Sequence, residues 1–134
     1  MATPNTPVSQ DIKDFLVSAS VGIFGTNLFI GSMPDSPDAC VAIYDTGAVE
    51  ESLMQMVYEF PTFQVKVRAN AYNTAQTKAR AVYDALHGVN NQTKNNARYI
   101  LIACQAGINF IGPDEKKRPT FTLNFRAHRT NKAT

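Results

Sequence analysis

A chain of 134 residues has the length of one domain, so residues 1–134 are expected to fold as a unit, with 1–6 and 130–134 as flexible ends. A hydrophobic fraction of 44% and a charged fraction of 18% exclude intrinsic disorder for its body. The net charge of +2 hides a split: residues 1–60 hold eight acids against one base, Lys13, and residues 61–134 hold twelve bases against three acids. Such a split either gives a subunit an acidic and a basic region suited to pairing with its own copies, or is cancelled when folding interleaves the halves. No apolar run reaches the roughly 20 residues that span a bilayer. Met1–Pro7 has neither a basic residue nor an apolar block, so no secretory leader is expected and the chain is expected to fold in a cytosol. Cys40 and Cys104 lie in apolar runs and are expected to be reduced, buried thiols. Together with His87 and His128 they form no metal-ligand spacing.

In chain order, Thr6-Pro7 predicts a helix start, with Val8, Ile12, Phe15, Leu16 and Ala19 on one face and a stop before Gly22. Leu28–Met33 and Ala39–Tyr44 are strand candidates, and Pro34-Asp35-Ser36-Pro37-Asp38 between them predicts a hairpin with an extended loop. Residues 46–59 have no clean period. They form either a short helix folded into the core or a projecting loop whose tip carries Met54 and Met56 beside Glu50 and Glu51.

Phe63, Val65, Val67 and Ala69 alternate with Gln64, Lys66, Arg68 and Asn70, which predicts a half-buried strand. Asn73 and Gln76 predict a capping box for a second helix, with Ala75, Ala79, Val82, Tyr83 and Leu86 inward, His87 as a favourable charge in the last turn and Gly88 as the stop. The polar stretch 88–97 predicts a mobile loop. Arg98–Cys104, almost unbroken by polar residues, predicts a strand buried on both faces, extended by Ile108–Ile111 past a bulge at Gly107. Gly112–Pro119 predicts a hairpin connection. Phe121, Leu123, Phe125 and Ala127 predict a final half-buried strand. The order of elements predicts an α+β fold: a mainly antiparallel sheet of four to five strands with two helices packed on one face.

Catalytic motifs are missing from the sequence. Gly22 and Gly25 lack the residues of a phosphate loop, Gly-x-Ser-x-Gly does not occur, and neither histidine adjoins a serine or cysteine. The acid pairs Asp35/Asp38, Glu50/Glu51 and Asp114/Glu115 fall in turns or loops, where solvated carboxylates are expected. The bases are more informative. Lys66 and Arg68 share the polar face of one strand, Arg126 and His128 that of another, and Lys116, Lys117 and Arg118 form a basic hairpin tip. If the strands are neighbours, a positive stripe crosses the sheet and meets an acidic protein surface, phosphates or solvent alone. No aromatic residue interleaves with these bases, which speaks against base stacking on a single strand.

Several segments, in order, resemble the bacteriophage minor capsid protein family. They are Met33-Pro34-Asp35-Ser36-Pro37-Asp38, Val41-Ala42-Ile43-Tyr44-Asp45-Thr46-Gly47, and Tyr58-Glu59-Phe60-Pro61-Thr62-Phe63-Gln64-Val65-Lys66-Val67-Arg68. Val82-Tyr83-Asp84-Ala85-Leu86-His87-Gly88 and Arg118-Pro119-Thr120-Phe121-Thr122-Leu123-Asn124-Phe125-Arg126 follow the same pattern. Members of this family look like tail terminator proteins of long-tailed phages. The resemblance implies a tail-terminator-like α+β subunit of a hexameric ring in the virion, assembled in the host bacterial cytoplasm. It also implies a structural role without catalysis or cofactor, with the tail tube protein and the head connector or head-closure protein as partners, and duplex DNA passing unread through the lumen. On this reading the 46–59 connection and the 113–119 hairpin reach neighbouring rings. The candidate contacts are Glu50, Glu51, Met54, Met56, Lys66, Arg68, Lys116, Lys117, Arg118 and Arg126. The competing readings are a head-side neck protein (a head-closure or adaptor subunit), a small DNA-binding module, whose affinity would fall steeply with salt, and a hydrolase with a site assembled from scattered residues.

Overall fold

The computed structural model describes residues 7–46, 58–95 and 97–130. Helix α1 (Val8–Ser18) and helix α2 (Tyr72–Leu86) pack against a sheet of seven strands: β1 (Leu28–Ile30), β2 (Cys40–Asp45), β3 (Tyr58–Glu59), β4 (Thr62–Arg68), β5 (Asn90–Lys94), β6 (Ala97–Pro113) and β7 (Pro119–Thr130). The strand order is β1-β2-β4-β7-β6-β5, with β3 added beside the end of β7. The fold is α+β as expected, but the sheet is larger than four to five strands, and it is mixed because β1 pairs with β2 in parallel.

Alternation in the sequence becomes two faces of the sheet. Ile43, Val65, Leu123 and Ile108 lie side by side across β2, β4, β7 and β6, as do Val41, Val67, Phe121 and Phe110. The stacked rings of Phe63 and Phe125 lie 5.1 Å apart. Val8, Ile12 and Leu16 of α1 and Ala75, Ala79, Val82 and Leu86 of α2 close over this face and complete one core. Residues one step along each strand point the other way. There Lys66 faces Ala42 and Thr122, and Gln64 Nε2 donates to Asn124 Oδ1 at 3.1 Å.

Four local expectations change. The two first strands do not form a hairpin; residues 31–39 swing back so that β1 and β2 run in the same direction. The stretch 88–97 is not a mobile loop throughout, since Asn90–Lys94 pair with Ala97–Leu101 as β5. Tyr99 to Ala103 is not buried on both faces, because Leu101 is exposed. A bulge between Tyr99 and Leu101 puts two residues against one on β7 and reverses the alternation, so that Tyr99 and Ile102 both face inward. Finally, α2 starts from Ala71 without a side-chain cap, and Asn73 lies inside the helix. Thr6 falls outside the described residues; Pro7 occupies the cap position of α1.

The second bulge falls where glycine predicts it. Between Gln105 and Ile108 the register slips, with Ala106 at φ 68° and Gly107 at φ 77°. Gly88 stops α2 at φ 86°. Beside it His87 accepts the Cys104 backbone N–H on Nδ1 at 2.9 Å, so the ring links the end of α2 to β6. Both thiols are free; Cys40 is buried and Cys104 half-buried.

Candidate functional site

Folding interleaves the acidic and basic halves of the chain. Under the helices, Arg129 of β7 donates from Nη1 to Asp11 Oδ2 at 3.2 Å and to the Tyr99 hydroxyl oxygen at 3.0 Å, and from Nε to Glu59 Oε1 at 2.8 Å. Asp11 also accepts from the Tyr99 hydroxyl and from Asn95 Nδ2. Burial pushes the Tyr99 phenol well above its ordinary pKa, so it remains a donor. Such a network satisfies charges that α1 and the sheet bury between them.

At the other end of the sheet, two arginines organise the loops. Arg68 is buried, and its guanidinium donates to the carbonyls of Asp38 at 2.9 Å and of Pro34 and Pro37 at 2.7 Å. Arg118 is also buried. It donates to Asp114 Oδ2 at 2.8 Å, to the Asp35 carbonyl at 2.6 Å, to Asp35 Oδ1 at 3.0 Å and to Asp38 Oδ1 at 3.1 Å. Asp114 in turn accepts the backbone N–H groups of Lys116 and Arg118 on Oδ1. The hydrogen bond from Arg118 holds the Asp114 carboxyl down at about 2. Lys116 pairs with Asp35, which lowers that carboxyl as well. The acids 35, 38 and 114 are therefore the partners of an arginine clamp. They join the 31–39 loop to the β6–β7 hairpin.

The sequence-predicted contacts separate accordingly. Glu50, Glu51, Met54 and Met56 lie outside the described residues. Lys66 is half-buried on the sheet face away from the helices. Arg68 and Arg118 are engaged inside the chain. Lys116 and Lys117 are exposed at the hairpin tip. Arg126 is exposed on β7, its guanidinium 5.1 Å from the Phe60 ring centre. The strands β4 and β7 are neighbours, yet Arg126 sits opposite Thr62 while Lys66 sits opposite Thr122, so neutral Gln64 and Asn124 break the stripe. His128, against Tyr58 and Phe60, has its imidazole held below the ordinary range by burial, with Arg126 and Arg98 adding to it. Among the described residues no cluster of His, Cys, Asp or Glu is placed to hold a metal ion, and no helix is long and apolar enough to cross a membrane.

The structure adds exposed apolar groups that the sequence pattern did not single out. Ile23 and Phe24 are 66% and 51% exposed beside Val17, and Phe110 and Ile111 are 48% and 54% exposed beside Tyr72. Their signal in the sequence is the pairing of two large apolar residues with turn glycines, Gly22/Gly25 and Gly112.

A family model described as bacteriophage tail terminator protein matches residues 15–131. No match was found among curated proteins. Among solved structures, a chain from the virion of a native gene transfer agent particle superposes with a TM-score of 0.71 over 93% of this chain and 96% of that chain, at 19% identity, a likeness of fold. With the family match running from α1 to the end of β7, the chain belongs to the bacteriophage tail terminator protein family.

Proposed function

We propose that this structural, tail-related virion protein is the subunit of a hexameric ring that caps the finished tail tube and joins it to the head connector. The observation that carries the reading is the family match across residues 15–131. The geometry is consistent with it: a rigid sheet presents loops at one end, and the clamp around Arg118 ties two of those loops together instead of leaving them to move independently. Lys116 and Lys117 at that end are the proposed contacts to an acidic surface of one neighbouring ring; the 46–59 connection, which joins β2 to β3 at the opposite end of the sheet, is the proposed contact to another. Lys66 and Arg126 are proposed contacts on the open sheet face. Duplex DNA would pass through the lumen without being read, since a backbone-level charge match needs no base contacts.

The test is co-sedimentation of the purified protein with tails that lack heads and, separately, with filled heads that lack tails. The expected result is binding to the headless tails. Binding to the tailless heads alone would place the protein on the head side of the neck.

A further inference from the structure

Strand β3 is two residues long and, among the described residues, pairs with the end of β7 alone, Tyr58 opposite Thr130 and Glu59 opposite Arg129. A ladder that short gains little from its backbone bonds, so side chains decide whether it closes. Alternation sends them to the two faces of the sheet. On the helix face, Glu59 Oε1 accepts from Arg129 Nε at 2.8 Å. On the open face, Tyr58 and Phe60 close on the His128 imidazole, with ring centres 5.1 and 4.5 Å away. The Nε2 atom of His128 is buried there and has no hydrogen-bond partner among the described residues.

That nitrogen makes the contact sensitive to a proton. A neutral imidazole can leave Nε2 bare, whereas an imidazolium carries N–H on both nitrogens. Here the cation would hold a buried donor with no acceptor, and a charge between aromatic rings. The Phe60 face, which would favour a cation, already carries the Arg126 guanidinium at 5.1 Å. Among the described residues the groups around the ring offer no counter-charge: β7 presents Arg126, β6 presents Arg98 and the apolar Leu101, and β3 presents the Tyr58 phenol. Asp11 and Glu59 bond to Arg129 on the other face of the sheet. Burial, with the two arginines adding to it, holds the imidazole below its ordinary range. We infer that His128 is a proton-operated latch: neutral, it closes β3 onto β7, and protonated, it leaves the clasp and opens that pair while the rest of the sheet stays closed. The opened state takes up the extra proton, so closure is complete above the ordinary imidazole value of 6.5 and weakens as pH falls below it. The 46–59 connection ends in β3, so the latch governs how that connection is anchored to the sheet. The latch is a property of the single chain and does not depend on the ring reading.

The experiment uses the full chain between pH 7.5 and 5. It follows the His128 ring by NMR and the amides that link β3 to β7 by hydrogen exchange, corrected for the intrinsic pH dependence of exchange. The ladder between β4 and β7 is the internal reference, and His128→Phe, which keeps an aromatic ring but cannot take up a proton, is the variant. In the wild type, His128 is expected to titrate below 6.5. Protection of the β3–β7 amides is expected to fall by up to about tenfold per pH unit below the ordinary imidazole value, as one proton is taken up, while the β4–β7 ladder holds. In His128→Phe the β3–β7 protection is expected to stay flat. Three results overturn the latch: a His128 ring in the wild type that titrates at 6.5 or above, β3–β7 protection that does not change with pH, or a fall of the same size in His128→Phe. The first two are read on the wild type alone, so they decide the matter even if the variant does not fold.

Discussion

Arg129 shows how a residue that composition counts as a surface base becomes a structural one. It lies on the inward face of β7, 4% exposed, between Asp11 of α1 and Glu59 of β3. Its removal takes the guanidinium away from Asp11, Tyr99 and Glu59, which all bond to it in the buried network. Arg129→Met is therefore expected to destabilise the fold by roughly 3–5 kcal/mol, read by urea denaturation; a loss under about 1 kcal/mol would mean that water or Asn95 takes over the role. Asp114 gives a pH signature. Its carboxyl is held near 2 in the folded chain against an ordinary 3.8. A depressed carboxylate stabilises the fold above its unfolded pKa and loses that contribution as pH falls through the folded one. Melting temperature is expected to drop between pH 4 and 2, and Asp114→Asn to flatten that limb while lowering stability at neutral pH. An unchanged acid limb in the variant would place the acid sensitivity elsewhere.

Elements with one partner on each side were legible from spacing. The alternating residues of β4 and β7 and the inward face of α2 sit where their periods put them, because each buries one continuous face. What escaped were features set by tertiary contact. The parallel pairing of β1 depends on a loop held by the side chains of Arg68 and Arg118, both distant in sequence. Strand β5 is polar throughout and gains its form only from the ladder with β6. The apolar run 99–103 mimics a strand buried on both faces because a bulge changes which side each residue takes. Gly107, which did announce its bulge, has φ 77° and open space around its α-carbon. Gly107→Ala is expected to cost about 1 kcal/mol through backbone strain alone, measured by thermal or urea unfolding. A neutral result would show that the bulge can relax.

For the whole molecule, the charge split of the sequence was a clue to internal pairing as much as to partners. Asp35 and Asp38 meet Arg118, and Asp11 and Glu59 meet Arg129, in two clusters at opposite ends of the sheet, so the fold consumes part of the asymmetry. The candidate site was half legible: the hairpin tip was placed at the surface, but its Arg118 is the centre of the clamp, and the exposed pairs Ile23-Phe24 and Phe110-Ile111 carried no periodic signal. The proposed role, ending the tail tube so that it can meet the head, makes a prediction for whole particles. The most direct measurement is electron microscopy of particles produced when its coding sequence is deleted. Filled heads without tails are expected beside free tubes of irregular, excessive length, both corrected when the intact chain is supplied again. Tails of normal length joined to heads in the deletion would contradict it.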